Sequence, residues 1–419
     1  MAIDSVETLL AVLRRTQLLT PEQVQDVARE LAPHYPDPYE LGQYLVEIDW
    51  LTAYQLQLLF AGRWDELTIA HYQILAQLGE GGISEVYKAW DTGKGREVAL
   101  KVMRTLLVER PDAERQFQRE LEAVTRLSHP NVIKTYDAGQ AGAAHYLAME
   151  YVEGMDLDKF VRKVGPLPLD MACDYIRQAA QGLQHAHQLG LVHRDVKPAN
   201  LFLLHPPLPA EPGAQPRRTP DPVVKIIDWG LARLKPADGA SAVAVADQEA
   251  EKGALIGTAD YIAPEQARDA SLVDIRADVY SLGCTLYYLL TGQPPFPGAS
   301  LMQKILQHQE AEPPAVQALR PDVPEEVGAI VQKMLAKKAE DRYQIPLLVV
   351  APLRRFCTTV ASANGSLLRP AGNGVAGLRP SSAPTLLTAR PGTSPNLKRP
   401  ASASTLPRPG TNGTTPRSP

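Results

Sequence analysis

The sequence predicts an α+β chain: a strand-rich region precedes a larger helical one, with a small helical module ahead and an unstructured tail behind. Three observations predict it. Short apolar runs at 72–75, 98–101 and 146–152 read as strands. Apolar residues at helical spacing dominate 170–190 and the stretch that opens at Ile275. Residues 358–419 consist mainly of Ser, Thr, Pro, Gly and Ala, with six Arg, one Lys and no acid, too little apolar surface to offset the entropy of ordering.

Composition narrows the function. With 419 residues, the chain has room for two or three domains and for a core that needs no staples. A net charge of −4 argues against wrapping nucleic acid or coating an anionic membrane. Cys173, Cys284 and Cys357 lack metal-ligand spacing and are expected as reduced, half-buried thiols of a cytosolic protein. The first residues show no basic run ahead of an apolar core, so no signal peptide is expected. No apolar run approaches the roughly 18 residues that a membrane span needs. The expectation is a soluble, cytoplasmic protein.

The elements justify themselves in order. In residues 1–68, Thr20 with Pro21 offers a helix start, followed by Val24, Val27 and Leu31 at helical spacing. A weak echo comes next, Leu19-Thr20-x-x-Gln23 against Leu51-Thr52-x-x-Gln55, the second copy launching a helix that carries Leu56, Leu59 and Phe60. Pro33, Pro36 and Pro38 separate the two units. Two readings of this module stand: a site for a partner, or a cap packed onto the larger region behind it. From Tyr72 a strand runs into Leu78-Gly-Glu-Gly-Gly-Ile-Ser-Glu-Val86, where Gly79, Gly81 and Gly82 let backbone N–H groups approach a phosphate. Between Asn200 and Asp228 an insertion at 205–222 carries seven prolines and reads as an extruded loop. His185 and His187 fall on different faces of the helix over 170–190, which argues against a metal site. Leu282, Leu286, Leu289 and Leu290 read as core, 294–297 as the stop of that helix, and further helices are expected near 325–337 and 346–357.

The chemistry gathers in Val-His-Arg-Asp-Val-Lys-Pro-Ala-Asn, residues 192–200, and in Asp228-Trp229-Gly230. Asp195 can accept a hydroxyl proton, Lys197 can offset charge on a transferring phosphoryl group, and Asn200 with Asp228 can hold Mg²⁺. With the glycine loop and Val98-Ala-Leu-Lys101, this ordered series resembles the eukaryotic-like Ser/Thr protein kinase family, especially its bacterial branch, over residues 72–357. Three domains are expected: a helical module at 1–68, a kinase domain at 72–357 and a disordered tail at 358–419.

The resemblance implies a bilobal fold, with a small β-rich lobe and a larger helical lobe, and the cofactors ATP and Mg²⁺. It implies protein substrates with Ser or Thr acceptors; a further partner could use the module or the tail. Lys101 would contact the α/β-phosphates and Glu120 would hold it; Val86 and Ala99 would line the adenine pocket. Met149 would gate its rear, with backbone groups of Glu150 and Val152 meeting the adenine edge. Glu265 would pair with Arg342, Asp278 would brace the catalytic loop, and Thr258 would brace Asp195 and Lys197. Arg194 would face a charge on the activation segment, where Ser241 is the one hydroxyl residue and Asp247, Glu249 and Glu251 are already charged. Two departures stand out. Ser84 replaces the third glycine and Trp229 replaces the usual Phe, so a pseudokinase scaffold that binds nucleotide without turnover is the rival reading.

Overall fold

The N-terminal module is made of two copies of one helix-turn-helix unit set 32 residues apart. In the first, Ser5 caps α1 (Val6–Thr16), Gln17 turns the chain at φ 53°, and Thr20 caps α2 (Pro21–Asp26). In the second, Asp37 caps α3 (Pro38–Glu47), Asp49 turns it at φ 57°, and Thr52 caps α4 (Ala53–Phe60). Both second helices open on a reciprocal box, in which the Thr hydroxyl accepts from the Gln N–H and the Gln side chain accepts from the Thr N–H. Leu9, Leu13 and Leu19 match Leu41, Leu45 and Leu51, and all six are buried in one core. The echo in the sequence is therefore a structural duplication. Pro38 starts a helix here instead of only separating units.

The computed structural model describes residues 3–81, 84–103, 121–142, 144–207, 220–229, 259–269, 273–298 and 300–357. Residues Met1–Gly365 form one compact unit and Ser366–Pro419 a second; all described residues lie in the first. Expectations for Gly82, Glu120, Gly230, Thr258, Ser241, Asp247, Glu249, Glu251, the centre of the insertion and the tail fall outside the described residues.

A six-stranded antiparallel sheet comes after the module. Its strands are β1 (Thr68–Ile69), β2 (Tyr72–Glu80), β3 (Ser84–Asp91), β4 (Arg96–Met103), β5 (Thr135–Ala141) and β6 (Ala144–Glu150), in the order β1-β2-β3-β4-β6-β5. The two-residue side-chain period sorts its faces. Tyr87, Val98, Leu100, Tyr146 and Ala148 form a core with Tyr54 of α4 packed against it. Leu147 and Met149 turn the other way, into the core of the helical lobe. The module thus packs on the back of the sheet, as the cap reading expects.

The second lobe begins with β7 (Gly154–Asp156), which pairs with β8 (Leu201–Leu204), itself paired with β9 (Val223–Ile226). Around this ribbon lie α5 (Leu157–Val164), α6 (Leu169–Gln188), α7 (Pro264–Arg268), α8 (Ile275–Thr291), α9 (Leu301–Glu310), α10 (Val316–Leu319), α11 (Glu325–Met334) and α12 (Leu347–Arg354). The stripe Ala172, Ile176, Ala179, Ala180 and Leu183 of α6 is fully buried. At Gly182 a Cβ would stand 2.7 Å from Asn131 O and 2.8 Å from Ile226 Cδ1, so only glycine lets α6 come this close to β9. Two expectations need correction. α8 stops at Gly292, in the left-handed conformation at φ 79°, before Pro294 is reached. Cys173 and Cys284 are wholly buried instead of half-buried, and burial pushes the Cys173 thiol up to about 12.

Candidate active site

Strand pairing brings the predicted residues together. Leu201 at the start of β8 lies opposite Ile226 at the end of β9, and the Ile227 N–H donates to Asn200 O at 3.0 Å. Asn200 and Asp228 are thereby held at the same end of the ribbon. Asn200 Nδ2 donates to Asp195 O at 2.8 Å and to Asp195 Oδ2 at 3.0 Å, while Lys197 Nζ sits 2.9 Å from the same Oδ2. One carboxylate oxygen of Asp195 is therefore fixed by an amide and an ammonium. Across the cleft, Lys101 Nζ on β4 reaches Asp228 Oδ1 at 2.8 Å. Asp228 carries φ 57° and Arg194 φ 63°, left-handed values that a non-glycine residue holds only where its surroundings enforce them.

For Arg194 those surroundings centre on Asp278 of α8, which is 1 % exposed. Its Oδ2 accepts from the His193 N–H at 2.9 Å and its Oδ1 from the Arg194 N–H at 2.8 Å. His187 Nε2 lies 2.9 Å from the same Oδ2, a second tie from α6. Asp278 thus ties down the loop that carries Asp195. Glu265 and Arg342 meet in two bonds, at 2.7 and 2.8 Å, and Arg342 also donates to three backbone carbonyls. His185, on the other face of α6, accepts from the Ser128 N–H, in keeping with the two histidines doing separate work.

The nucleotide side is set by the sheet. Val86 lies opposite Lys101, and Ala99 opposite Lys88 and Met149, so Val86, Ala99 and Lys101 share the face opposite Tyr87 and Leu100. At Gly79 a Cβ would meet nothing within 4 Å, which leaves its backbone open to a large ligand. Gly81 N–H donates to Ser84 O at 2.8 Å, closing the hairpin, and Ser84 opens β3 opposite Met103. At the lobe junction the Glu150 N–H already donates to Lys134 O at 2.8 Å.

Several contributors were not picked out from the sequence. His193 is fully buried; Nδ1 accepts from the Asp195 N–H at 3.3 Å, so Nε2 carries the proton donated to Ile227 O at 3.0 Å. It links the acid loop to the residue before Asp228, and its ring lies 4.8 Å from that of Trp229. Gln266 Nε2 donates to Arg194 O at 2.8 Å. Lys225 Nζ holds Glu150 Oε1 at 2.7 Å. Of the three, only Lys225 left a signal, a lysine inside the apolar run Val-Lys-Ile-Ile.

A strand-rich lobe facing a helical lobe, with an Asp–Lys–Asn cluster on one side and a Lys–Asp pair across the cleft, defines a bilobal phosphotransferase-type fold. The chain belongs to the protein kinase domain family, which matches residues 72–353. It is 38% identical over 288 residues to the serine/threonine-protein kinase PknB of Mycobacterium leprae and 39% identical to that of Mycobacterium tuberculosis, in each case over 68% of this chain. The match spans 42% of those relatives, so the chain covers less than half of their length. The crystal structure of the Mycobacterium tuberculosis PknI kinase domain superposes with a TM-score of 0.51 at 26% identity, covering 69% of this chain and 98% of that one.

Proposed function

We propose that this chain is a serine/threonine protein kinase that transfers the γ-phosphoryl group of ATP to protein Ser or Thr hydroxyls. The observation that carries the reading is the Asp195–Lys197–Asn200 cluster, held by Asp278 and His193 and facing Lys101 and Asp228. In this reading the Asp195 carboxylate orients a hydroxyl and accepts its proton. Lys197, on the same oxygen, offers positive charge where the transferred group gains negative charge. Lys101 supplies a second ammonium beneath the glycine strand.

The donor set also suits a hard divalent cation, which we assign as Mg²⁺. Asn200 spends its amide nitrogen on Asp195, which leaves its amide oxygen, like the Asp228 carboxylate, as a hard oxygen donor of the kind Mg²⁺ takes. When bound there by Asn200 and Asp228, the cation would supply positive charge to offset that of the phosphates. Among the described residues, little favours the scaffold reading. Ser84 opens β3 in register with Met103, and the Trp229 ring packs against His193, although its buried indole N–H finds no partner among the described residues. The proposal keeps the division into 1–68, 72–357 and 358–419, and a cytoplasmic setting where ATP is at hand.

The test is incubation with labelled ATP, Mg²⁺ and a basic acceptor protein. Asp195→Asn, Lys101→Met and Asp228→Asn should each lower phosphotransfer by a factor of about 10² or more with the circular dichroism unchanged. Turnover near wild type in Asp195→Asn would overturn the assignment.

A further inference from the structure

Strand β2 carries the glycine loop at its far end, and its outer edge is nearly bare. β1 covers only Tyr72 and Gln73. Immediately beyond, the ladder with β3 slips: Ile74 stands opposite Ala89, and Ala76 opposite Lys88, so Leu75 is an extra, bulged residue. The carbonyls of Ile74 and Leu75 receive their hydrogen bonds from the N-terminal module. Thr52 Oγ donates to Leu75 O at 2.6 Å, and Gln55 Nε2 donates to Ile74 O at 2.8 Å. Gln73 Nε2 adds a bond to Gln17 O at 2.6 Å.

The same two side chains form the box that starts α4. Thr52 Oγ accepts from the Gln55 N–H at 3.1 Å, and Gln55 Oε1 accepts from the Thr52 N–H at 2.9 Å. The box uses the acceptors, and each side chain donates one proton to β2. The first copy provides an internal control. Thr20 and Gln23 make the same reciprocal bonds, at 3.2 and 2.9 Å, yet donate nothing to the sheet.

We propose that Thr52 and Gln55 are positioning residues for the nucleotide: they hold the Leu75 bulge and thereby set the register of β2 and the placement of Gly79 and Gly81. The physical reason is the two-residue period of a strand. A slip of one residue turns every side chain and every backbone group to the opposite face, so what stabilises the bulge decides which face the glycines present. Gln55 is 4 % exposed, so its bond to β2 has little competition from water. A second register shift falls between Gln77 and Gly79, so the glycine end depends on two bulges, of which the module holds the first. This inference rests on the kinase reading for its nucleotide, but not for the strand.

The full chain allows a clean test. Gln55→Glu keeps the box, since a glutamate oxygen accepts the Thr52 N–H, but it replaces the donor to Ile74 O with an oxygen. Gln23→Glu makes the same change 32 residues earlier, in the copy that does not touch the sheet. Thr52→Ser retains both bonds and Thr52→Val removes both. The readouts are binding of a non-hydrolysable ATP analogue with Mg²⁺, KM and kcat in phosphotransfer, and hydrogen exchange at the Gly81 amide.

Gln55→Glu and Thr52→Val should weaken nucleotide binding and raise KM for ATP about fivefold, as one hydrogen bond is worth. They should leave kcat within about twofold and speed Gly81 exchange by a similar factor. Gln23→Glu and Thr52→Ser should match wild type. Unchanged exchange and binding in Gln55→Glu would overturn the inference, as would an equal effect of Gln23→Glu. If Gln55→Glu does not fold, Thr52→Val carries the same decision. A wild-type chain that transfers no phosphate, but whose Gly81 exchange still responds to Gln55→Glu, would sink the kinase reading and leave the positioning role standing.

Discussion

Replacing Asp278 with asparagine should loosen the catalytic loop without touching any reacting group. Asp278 accepts three hydrogen bonds in a site that is 1 % exposed, from the His193 and Arg194 N–H groups and from His187. Asparagine keeps one acceptor oxygen and turns an NH₂ toward a donor. At least one buried N–H then loses its partner, at about 1–3 kcal/mol, and more where the lost bond was to a charge. The left-handed Arg194 adds to the loss, because its φ of 63° persists only while both neighbouring amides are anchored. The expected change in unfolding free energy is about 2–4 kcal/mol. A loop displaced by about 1 Å costs on the order of 10² in turnover. Urea unfolding followed by circular dichroism measures the first quantity, and phosphotransfer at saturating ATP measures the second. Stability within 1 kcal/mol of wild type (about the worth of one hydrogen bond), together with turnover within about twofold, would refute the bracing argument. Loss of stability with full turnover would refute only the link to catalysis.

Other expectations come from the packing. Gly182→Ala should cost about 2–4 kcal/mol in urea unfolding, because its Cβ meets the Asn131 carbonyl, a backbone atom that cannot rotate away. Burial, with Lys337 and Lys304 nearby, lowers the pKa of His308 from 6.5 to about 3. The unfolded chain therefore binds the extra proton between these values, so His308 lowers stability as pH falls from about 6.5 toward 3 and has no effect above that window. His308→Gln should flatten that part of a plot of melting temperature against pH. Deleting residues 360–419 should leave melting temperature and activity on a small peptide unchanged, since the tail has no periodic apolar face; a fall of several degrees would show that it docks.

The features legible in the sequence are those whose physics is local. The glycine loop, Lys101, the loop at 192–200 and Asp228 could be read because each motif needs particular residue types at fixed spacing. α6 could be read because its apolar stripe faces the core. α9 could not, because its pattern is inverted: Met302 and Leu306 are exposed while Lys304 and His308 are buried by partners elsewhere in the chain. His193 and Gln266 stayed hidden for a similar reason, since their roles exist only through hydrogen bonds to residues far along the sequence. The stop of α8 at Gly292 was missed because the nearby prolines outweighed the left-handed cap that ends it. The duplication in the module was read only as Leu-Thr-x-x-Gln, because the paired leucines Leu9/Leu41 and Leu13/Leu45 stand among unlike residues and the two turns, Gln17 and Asp49, share a backbone angle but not a residue type.

The junction at Glu150 has a mechanical meaning. Its carboxylate binds Lys225 on β9 at 2.7 Å and accepts the Lys134 N–H at 2.7 Å, and its own N–H returns to Lys134 O. The segment just before Lys134 is also fastened to β9, through Ile133 N–H to Ile226 O and Ile226 N–H to Asn131 O. The roots of β5 and β6 are thus riveted to the helical lobe as a pair. A swing of the sheet that keeps these bonds turns about a line through Lys134 and Glu150, as a door turns on two pins. A sideways slide of the two lobes would pull the Glu150 carboxylate off the Lys225 ammonium.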